Sequence, residues 1–285
     1  MASDSRLWCR WFGPLLCGSL FWGTPGLTAP DEPLTRAEVY KVVNRVELIP
    51  QHQPPRPART TDVLSPLDSL ATRTQSRADL LFNEGSLARI GGNSLFRFEP
   101  GTRNFQLDSG TTIVMFPPGS LGGTITTPNA TVEANGSIVW VKQDAVTQAT
   151  FIGALTAGAT SSTQATPVVV VVEESGDRVE LQMGERLTLR PGQPPEVKLL
   201  HLPTFHAACK LAAGLGPGEA DDLEQEMPEV RATLQATRTD TMQALKQQDG
   251  IAAKHPATAA LCQETTAIEE TAISNAQWQT GSFYS

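Results

Sequence analysis

Two arginines in neighbouring apolar runs are the residues of this sequence that could bind a ligand. Arg89 and Arg97 are separated by a Gly-Gly-Asn turn, and both runs are typical of short β-strands. On a strand, a guanidinium can pair with a nearby glutamate, here Glu84 or Glu99. It can equally form a bidentate pair with the carboxylate of a ligand. Both interpretations stay open, and we retain Arg89 and Arg97 as candidate ligand-facing residues.

Histidine and cysteine side chains near residue 205 have the donor atoms of a zinc site but not its spacing. His201, His206 and Cys209 match no standard zinc pattern, and no fourth ligand follows. An acidic cluster at residues 221–226 could bind calcium, but acidic residues at the start of a helix already complement the helix dipole. We therefore predict no metal site.

Motifs of catalysis and cofactor binding are absent from the sequence. It contains no glycine-rich phosphate loop, no nucleophile elbow and no zinc-protease helix. The net charge of −8 also argues against a nucleic-acid partner, because such a partner requires a clustered basic surface. We predict a protein that is not an enzyme, with no catalytic residue, no cofactor and no nucleic-acid partner.

The first 29 residues are typical of a secretory signal peptide. Arg6 and Arg10 precede an apolar run at residues 11–22, and residues 27–29 end in a small side chain. The run is short and is broken by glycine and proline, so we expect cleavage; an uncleaved anchor is the alternative. The mature chain is predicted to be periplasmic or extracellular, without a membrane span.

Two of the four cysteines, Cys209 and Cys262, remain after removal of residues 1–29. An even pair of cysteines in an exported chain favours a disulfide bond. Loop entropy gives such a bond a value of about 3–4 kcal/mol. Two separate buried thiols are the alternative.

Residues 30–195 show the pattern of a compact β-domain. Short apolar runs alternate with glycine-bearing turns at intervals of about 8–12 residues, which is typical of a sandwich, a barrel or a solenoid. Asn135-Gly136 predicts a hairpin between strands at 130–134 and 137–141, because a tight turn needs positive φ at both positions. The large aromatic residues of this region are predicted to be core: Phe98, Phe105, Phe116 and Trp140.

Residues 196–285 form a helical C-terminal region in this interpretation. Alanine-rich or amphipathic spacing predicts helices at 205–215, 219–248 and 256–274. Pro228 either kinks the second helix or marks its true start. The fold class is therefore mainly β, followed by a small α-helical region.

Residues 36–192 resemble the FecR domain family. The resemblance rests on strand-and-turn motifs in their usual order: Asp68-Ser-Leu-Ala-Thr72, Ser76-Arg-Ala-Asp-Leu-Leu-Phe-Asn-Glu-Gly-Ser-Leu-Ala-Arg-Ile-Gly91, Leu107-Asp-Ser-Gly110, Ile125-Thr-Thr-Pro-Asn-Ala130, Ala134-Asn-Gly-Ser137 and Arg178-Val-Glu-Leu-Gln-Met-Gly-Glu185. These motifs are structural, and the resemblance implies a solenoid-like stack of short strands in the periplasm or outside the cell. Well-known members are transmembrane anti-sigma regulators that relay siderophore-transporter signals.

This sequence departs from the plan of those regulators. The anti-sigma regulators carry cytoplasmic regulatory helices before their apolar segment, whereas only about ten residues precede the apolar segment of this sequence. The regulatory role is therefore not transferred to this chain. Shorter exported members with an added tail look closer. Three functions are compared: a non-enzymatic envelope protein whose β-domain is a protein-binding scaffold or signalling module, a carbohydrate or cell-wall binding module, and a solenoid-type polysaccharide-active enzyme. The first is preferred, with an envelope protein or a cell-wall polymer as the partner.

Overall fold

The computed structural model describes residues 33–117, 120–159, 165–216, 223–251 and 255–263. The predicted signal peptide and most of the third predicted helix lie outside the described residues. Within them the chain is 40% strand and 18% helix, and the helices follow the strands. The prediction of a mainly β fold with a small helical C-terminal region is confirmed.

Eighteen strands occur in the described residues, and they are numbered in chain order. They are β1 (Ala37–Val43), β2 (Val46–Ile49), β3 (Arg56–Pro57), β4 (Ser69–Thr72), β5 (Arg77–Phe82), β6 (Leu87–Ile90), β7 (Leu95–Glu99), β8 (Asn104–Met115), β9 (Gly123–Thr126), β10 (Ala130–Ala134), β11 (Val139–Gln143), β12 (Thr150–Ala154), β13 (Gly158–Ala159), β14 (Ala165–Thr166), β15 (Val168–Val172), β16 (Arg178–Leu181), β17 (Glu185–Leu189) and β18 (Glu196–Leu199). Sixteen of them form one connected hydrogen-bonded system, and β13 pairs only with β14.

The connected strands form two sheets that share β8. The sheet that we call inner has the order β1-β5-β6-β8-β11-β12-β17-β18, and the outer sheet has the order β3-β2-β4-β7-β8-β9-β10-β15-β16. All these pairings are antiparallel except β8 with β9. The solenoid-like arrangement is not confirmed, because successive coils of a β-solenoid stack equivalent strands in parallel.

Strand β8 crosses from one sheet to the other. Its first half pairs with β7 and β9, and its second half pairs with β6 and β11. Gly110 lies at the crossing with φ of +90°, and a Cβ atom there would lie 2.1 Å from Ser94 Oγ. Only glycine fits this backbone conformation and this close approach.

The main core lies between the two sheets and is rich in phenylalanine. Phe82 contacts Phe98 and Phe105 edge to face, with ring centroids 5.1 and 5.2 Å apart. The four aromatic residues predicted as core are all buried, so that prediction is confirmed: Phe98, Phe105, Phe116 and Trp140. Aromatic pairs of this geometry stabilise the fold beyond their area of contact.

A second core joins the inner sheet to the C-terminal helices. These are α1 (Leu202–Ala208), α2 (Pro228–Gln247) and α3 (Pro256–Leu261), and we call the chain from Leu202 onward the tail. Trp140 of β11 packs edge to face on Phe205 of α1, with centroids 5.4 Å apart. Because the tail covers its second face, the inner sheet has strands buried throughout, such as β6 and β11, whereas β10 alternates buried and half-buried residues.

The helices differ in extent from the predicted ranges: α1 begins three residues before the predicted start at 205, and α2 begins nine residues after the predicted start at 219. Pro228 is the first residue of α2, so it marks the start of the helix and does not kink it. Proline is well suited to this position, because the amide hydrogen that it lacks would have no partner within the helix. The first predicted helix is divided: α1 ends at Ala208, Cys209 is its C-cap, and a 3-10 turn follows at Lys210–Ala212.

The predicted Asn135-Gly136 hairpin is wrong. Gly136 has the expected positive φ, +67°, but β10 pairs with β9 and β15, while β11 pairs with β8 and β12. The turn therefore joins a strand of the outer sheet to a strand of the inner sheet. Asn135 does not have the positive φ that a two-residue hairpin turn needs, and burial between the two sheets decides the pairing.

Candidate functional site

The face of the inner sheet beneath the tail carries charged residues near both edges. Strand register places one residue of each of the eight strands in a single row across the sheet: Lys41, Asp79, Arg89, Ile113, Trp140, Gly153, Arg186 and Lys198. The apolar middle of this row packs against the helices. The charged residues near the edges are left to make polar contacts with the tail or with a ligand.

Arg89 lies beneath the tail and is 7% exposed. Its Nη1 donates hydrogen bonds to the carbonyl oxygens of Leu211, at 3.2 Å, and Ala213. Its Nε lies 3.9 Å from the Asp79 carboxylate. Leu211 lies within the 3-10 turn Lys210–Ala212, and Ala213 is the C-cap residue of that turn. Arg89 therefore donates to backbone carbonyl oxygens at the end of the turn, where hydrogen-bond partners within the turn are lacking. Arg89 therefore anchors the tail to the sheet.

Lys142 anchors the tail in the same way at a second point. Its Nζ donates to the carbonyl oxygen of Leu261 at 3.2 Å and to that of Gln263 at 2.8 Å, at the C-terminal end of α3. Burial lowers the pKa of Lys142, and the negative charge of Asp144 acts in the opposite direction. A cation at the end of a helix also complements the helix dipole.

Cys209 and Cys262 are paired as a disulfide, with Cα atoms 4.9 Å apart. They are the C-cap residues of α1 and α3, so the bond joins the same end of both helices. This pairing leaves no thiolate at Cys209 for the zinc site considered from the sequence. His201 instead caps the N-terminus of α1, where its Nδ1 accepts a hydrogen bond from the Thr204 amide. Formation of the bond in the cell stays a prediction.

A cleft of about 380 Å³ lies between the β1–β5 edge of the inner sheet and the tail. Its apolar lining includes Leu87 and Met115 from the sheet and Val230 and Leu234 from α2. Its polar lining consists mainly of charged side chains: Tyr40, Lys41, Arg77, Asp79, Arg89, Gln225 and Glu226. Pockets of this volume that combine an apolar lining with a few polar groups suit small molecules.

One ion-pair cluster occupies the wall of this cleft. The Asp79 carboxylate lies 3.0 Å from Arg77 Nε on one side and 3.9 Å from Arg89 Nε on the other. Asp79 and Arg89 are cross-strand partners on β5 and β6. The Asp79 carboxylate therefore compensates part of the positive charge of the two guanidinium groups.

Arg97 lies on the other side of the molecule, on the solvent-facing side of the outer sheet. Strand register forms a mainly polar row there: Ile49, Ser69, Arg97, Gln106, Thr126, Thr131, Val171 and Arg178. Arg97 Nε donates to Ser69 Oγ at 3.2 Å, and its Nη1 donates to Gln106 Oε1 at 3.4 Å. Burial raises the pKa of nearby Asp108, whereas a hydrogen bond from Gln106 and the positive charge of Arg97 lower it by a smaller amount.

The two candidate ligand-facing arginines therefore share no site. Arg89 contacts the tail and lines the cleft, whereas Arg97 belongs to the polar face of the outer sheet. The role of each in ligand binding stays a prediction. The sequence analysis does not identify Tyr40 and Lys41 as site residues, because the β1 segment is interpreted only as a run of β-forming residues. The available signal is a lysine that directly follows a tyrosine within this run.

Metal-binding and membrane-spanning elements are not found among the described residues. No group of three or more His, Cys, Asp or Glu side chains converges there. None of the helices in the same part of the chain is long and apolar enough to span a membrane.

Comparison with known proteins gives one family match and a remote structural similarity. The family model described as FecR protein matches residues 68–154, which confirms the FecR resemblance over that narrower range. Two crystal structures of a candidate anti-sigma factor from Parabacteroides distasonis ATCC 8503 are similar at 13% and 12% identity, each with a TM-score of 0.38. Each alignment covers 46% of this chain and 59% of the other. No curated protein matches.

Proposed function

We propose, from the FecR domain that this chain carries over residues 68–154, that it is an exported envelope protein whose β-sandwich binds a protein partner as a signalling or regulatory module. The observation that carries the proposal is the position of the match. It begins one residue before β4 and ends with the last residue of β12, so it contains the central strands of both sheets.

The outer sheet is the surface that we assign to the partner. The tail covers the inner sheet, whereas the row around Arg97 faces solvent. The six polar side chains of this row are three hydroxyls, one amide and two guanidinium groups, which suit hydrogen bonding to a polar protein surface; Ile49 and Val171 are its two aliphatic members. The proposal assigns no catalytic step, and it places the partner in the periplasm or outside the cell.

The same proposal divides the chain into a signal peptide at 1–29, a FecR-like β-domain at 30–195 and a helical region at 196–285. Strand β18 begins at Glu196 and pairs with β17, so the β-structure continues four residues beyond that boundary. We assign the helical region the task of covering the inner sheet.

A polymer-binding role has less support from the described surface. Binding of polysaccharides relies on exposed aromatic rings, but the large exposed apolar residues of the described chain are aliphatic or methionine: Val63, Leu67, Leu121, Val146, Val197, Leu199, Met227, Met242 and Ile251. Trp140, the tryptophan of the described residues, is buried in the second core. The outer sheet therefore lacks the stacking platform that a sugar chain would use.

Site-specific photo-crosslinking in native envelopes tests the proposal. A photoreactive phenylalanine analogue replaces Thr126, in the outer-sheet row, or Thr239, on the exposed side of α2 as the matched control. We expect a discrete protein adduct from position 126 and none from position 239. Absence of a protein adduct at 126, together with retention of the protein on purified cell wall, would overturn the proposal in favour of polymer binding.

A further inference from the structure

The cleft beneath the tail is lined by residues of both charge signs whose charged groups make no hydrogen bond or ion pair with other described residues. Lys41, Tyr40 and Glu226 are all lining residues. Lys41 Nζ, Tyr40 Oη and the Glu226 carboxylate make no hydrogen bond or ion pair with the part of the chain that the structure describes. Lys41 and Glu226 come from opposite walls, β1 and the segment before α2, and no ion pair joins them. A ligand that enters between them would meet an ammonium group on one side and a carboxylate on the other.

The remaining lining fits the apolar part of the same ligand. Leu87, Met115, Val230 and Leu234 supply aliphatic and thioether surface, and burial of apolar area there would provide most of the binding free energy. The guanidinium groups of Arg77 and Arg89 lie on the same wall as Lys41, together with the Asp79 carboxylate. An anionic group is therefore favoured on the sheet side and a cationic group on the Glu226 side.

We infer that this cleft binds a small zwitterion with an apolar side chain, an amino acid or a short peptide. The ligand carboxylate accepts hydrogen bonds from Lys41 Nζ and Tyr40 Oη, and its ammonium group donates to the Glu226 carboxylate. Its side chain packs on Leu87 and Val230. Such a site lies on the inner-sheet side of the molecule, so it is independent of the protein partner assigned to the outer sheet.

Isothermal titration calorimetry with the full mature chain tests this inference. The probes are L-phenylalanine and L-alanyl-L-phenylalanine, which share the zwitterionic chemistry and distinguish a free amino acid from a peptide. Phenylpropanoate lacks the ammonium group, and phenethylamine lacks the carboxylate. We expect saturable binding of one of the two zwitterions, and affinity at least about tenfold lower for both single-charge analogues, since each loses a charged hydrogen bond.

Substitutions then assign the two charges. Lys41→Gln and Glu226→Gln should each raise the Kd of the bound zwitterion about tenfold or more. Lys198→Gln is the matched control, because Lys198 is an exposed lysine in the same row at the opposite edge of the sheet. The inference is overturned if neither zwitterion binds saturably, if a single-charge analogue binds as tightly, or if Lys198→Gln weakens binding as much as Lys41→Gln.

Discussion

His201 and His255 stack on one another, with ring centroids 4.1 Å apart and 23° between the ring planes. They are the N-cap residues of α1 and α3, whose C-cap residues Cys209 and Cys262 form the disulfide. The two short helices therefore lie side by side and are held at both ends, covalently at one end and by ring stacking at the other.

Stability should fall in acid through this stack. Burial lowers the pKa of His201, and the charge of His255 lowers it further. The unfolded chain therefore binds a proton at His201 more readily than the folded chain, so stability is lost as the pH falls below about 6.5. His201→Asn keeps an N-cap acceptor without a charge and should lessen the loss.

Chemical unfolding at about pH 7.5 and about pH 5 measures this effect. His52→Asn is the control, because His52 is exposed and has φ of 60°, which asparagine adopts readily. Burial raises the pKa of Asp108 and Asp240, and these two groups make the fold more stable as the pH falls. Because this opposite effect is present in every variant, the change in stability between the two pH values is compared between each variant and the wild type. An equal pH dependence of wild type and His201→Asn would contradict the prediction.

Removal of the disulfide should destabilise the tail. Cys209 and Cys262 are 53 residues apart, and closing a loop of this length corresponds to about 3–4 kcal/mol of unfolding free energy. The double substitution Cys209→Ser with Cys262→Ser leaves no unpaired thiol, and we expect it to lower stability by that amount. Mass mapping of unreduced peptides checks the bond itself; free thiols at both positions would reject it.

Lys142→Met should release α3 from the sheet. The methionine keeps the apolar stem of the side chain but cannot donate to the carbonyl oxygens of Leu261 and Gln263. Loss of a charged hydrogen bond costs about 1.5–3 kcal/mol. Hydrogen exchange should become faster in Pro256–Leu261, while the exposed Lys210→Met control leaves it unchanged. Unaltered protection of α3 in Lys142→Met would show that these bonds do not hold the helix.

Gly110→Ala should destabilise the sandwich more than Gly101→Ala. Both glycines have positive φ, +90° and +85°, so each alanine incurs a backbone cost of roughly 1–2 kcal/mol. At Gly101 a Cβ atom meets nothing within 4 Å, but at Gly110 it would lie 2.4 Å from Ser94 Cα. Thermal unfolding of both variants separates the backbone cost from the steric cost. Equal Tm values would mean that the crossing relaxes to admit a side chain.

Strand positions could be predicted from the sequence, but their partners could not. Alternating apolar residues and glycine turns located most strands because these signals are local. Pairing is decided by which faces are buried together, as the Asn135-Gly136 turn shows: the same turn can close a hairpin or connect two sheets. Among the described strands only β8 and β9 pair in parallel, and for the same reason the sequence carries no signal for this pairing.

The candidate sites depend still more on long-range packing. The residue type of Arg89 makes it a candidate in the sequence, yet its hydrogen bonds go to carbonyls more than 120 residues away along the chain. Lys41 and Glu226 become neighbours of one cleft only because α2 packs on the β1–β5 edge. No local pattern records such a contact.

The crossing of β8 has a mechanical consequence. A force applied at the outer sheet reaches the sheet that carries the tail through an unbroken backbone, Asn104–Met115, in addition to side-chain contacts. The two sheets therefore cannot slide or hinge apart while β8 stays paired on both sides. A fragment limited to residues 68–154 would keep β8 but lose β1–β3 and β15–β18 from the two sheets, so both sheets would expose new edges, and we expect them to unfold in one transition.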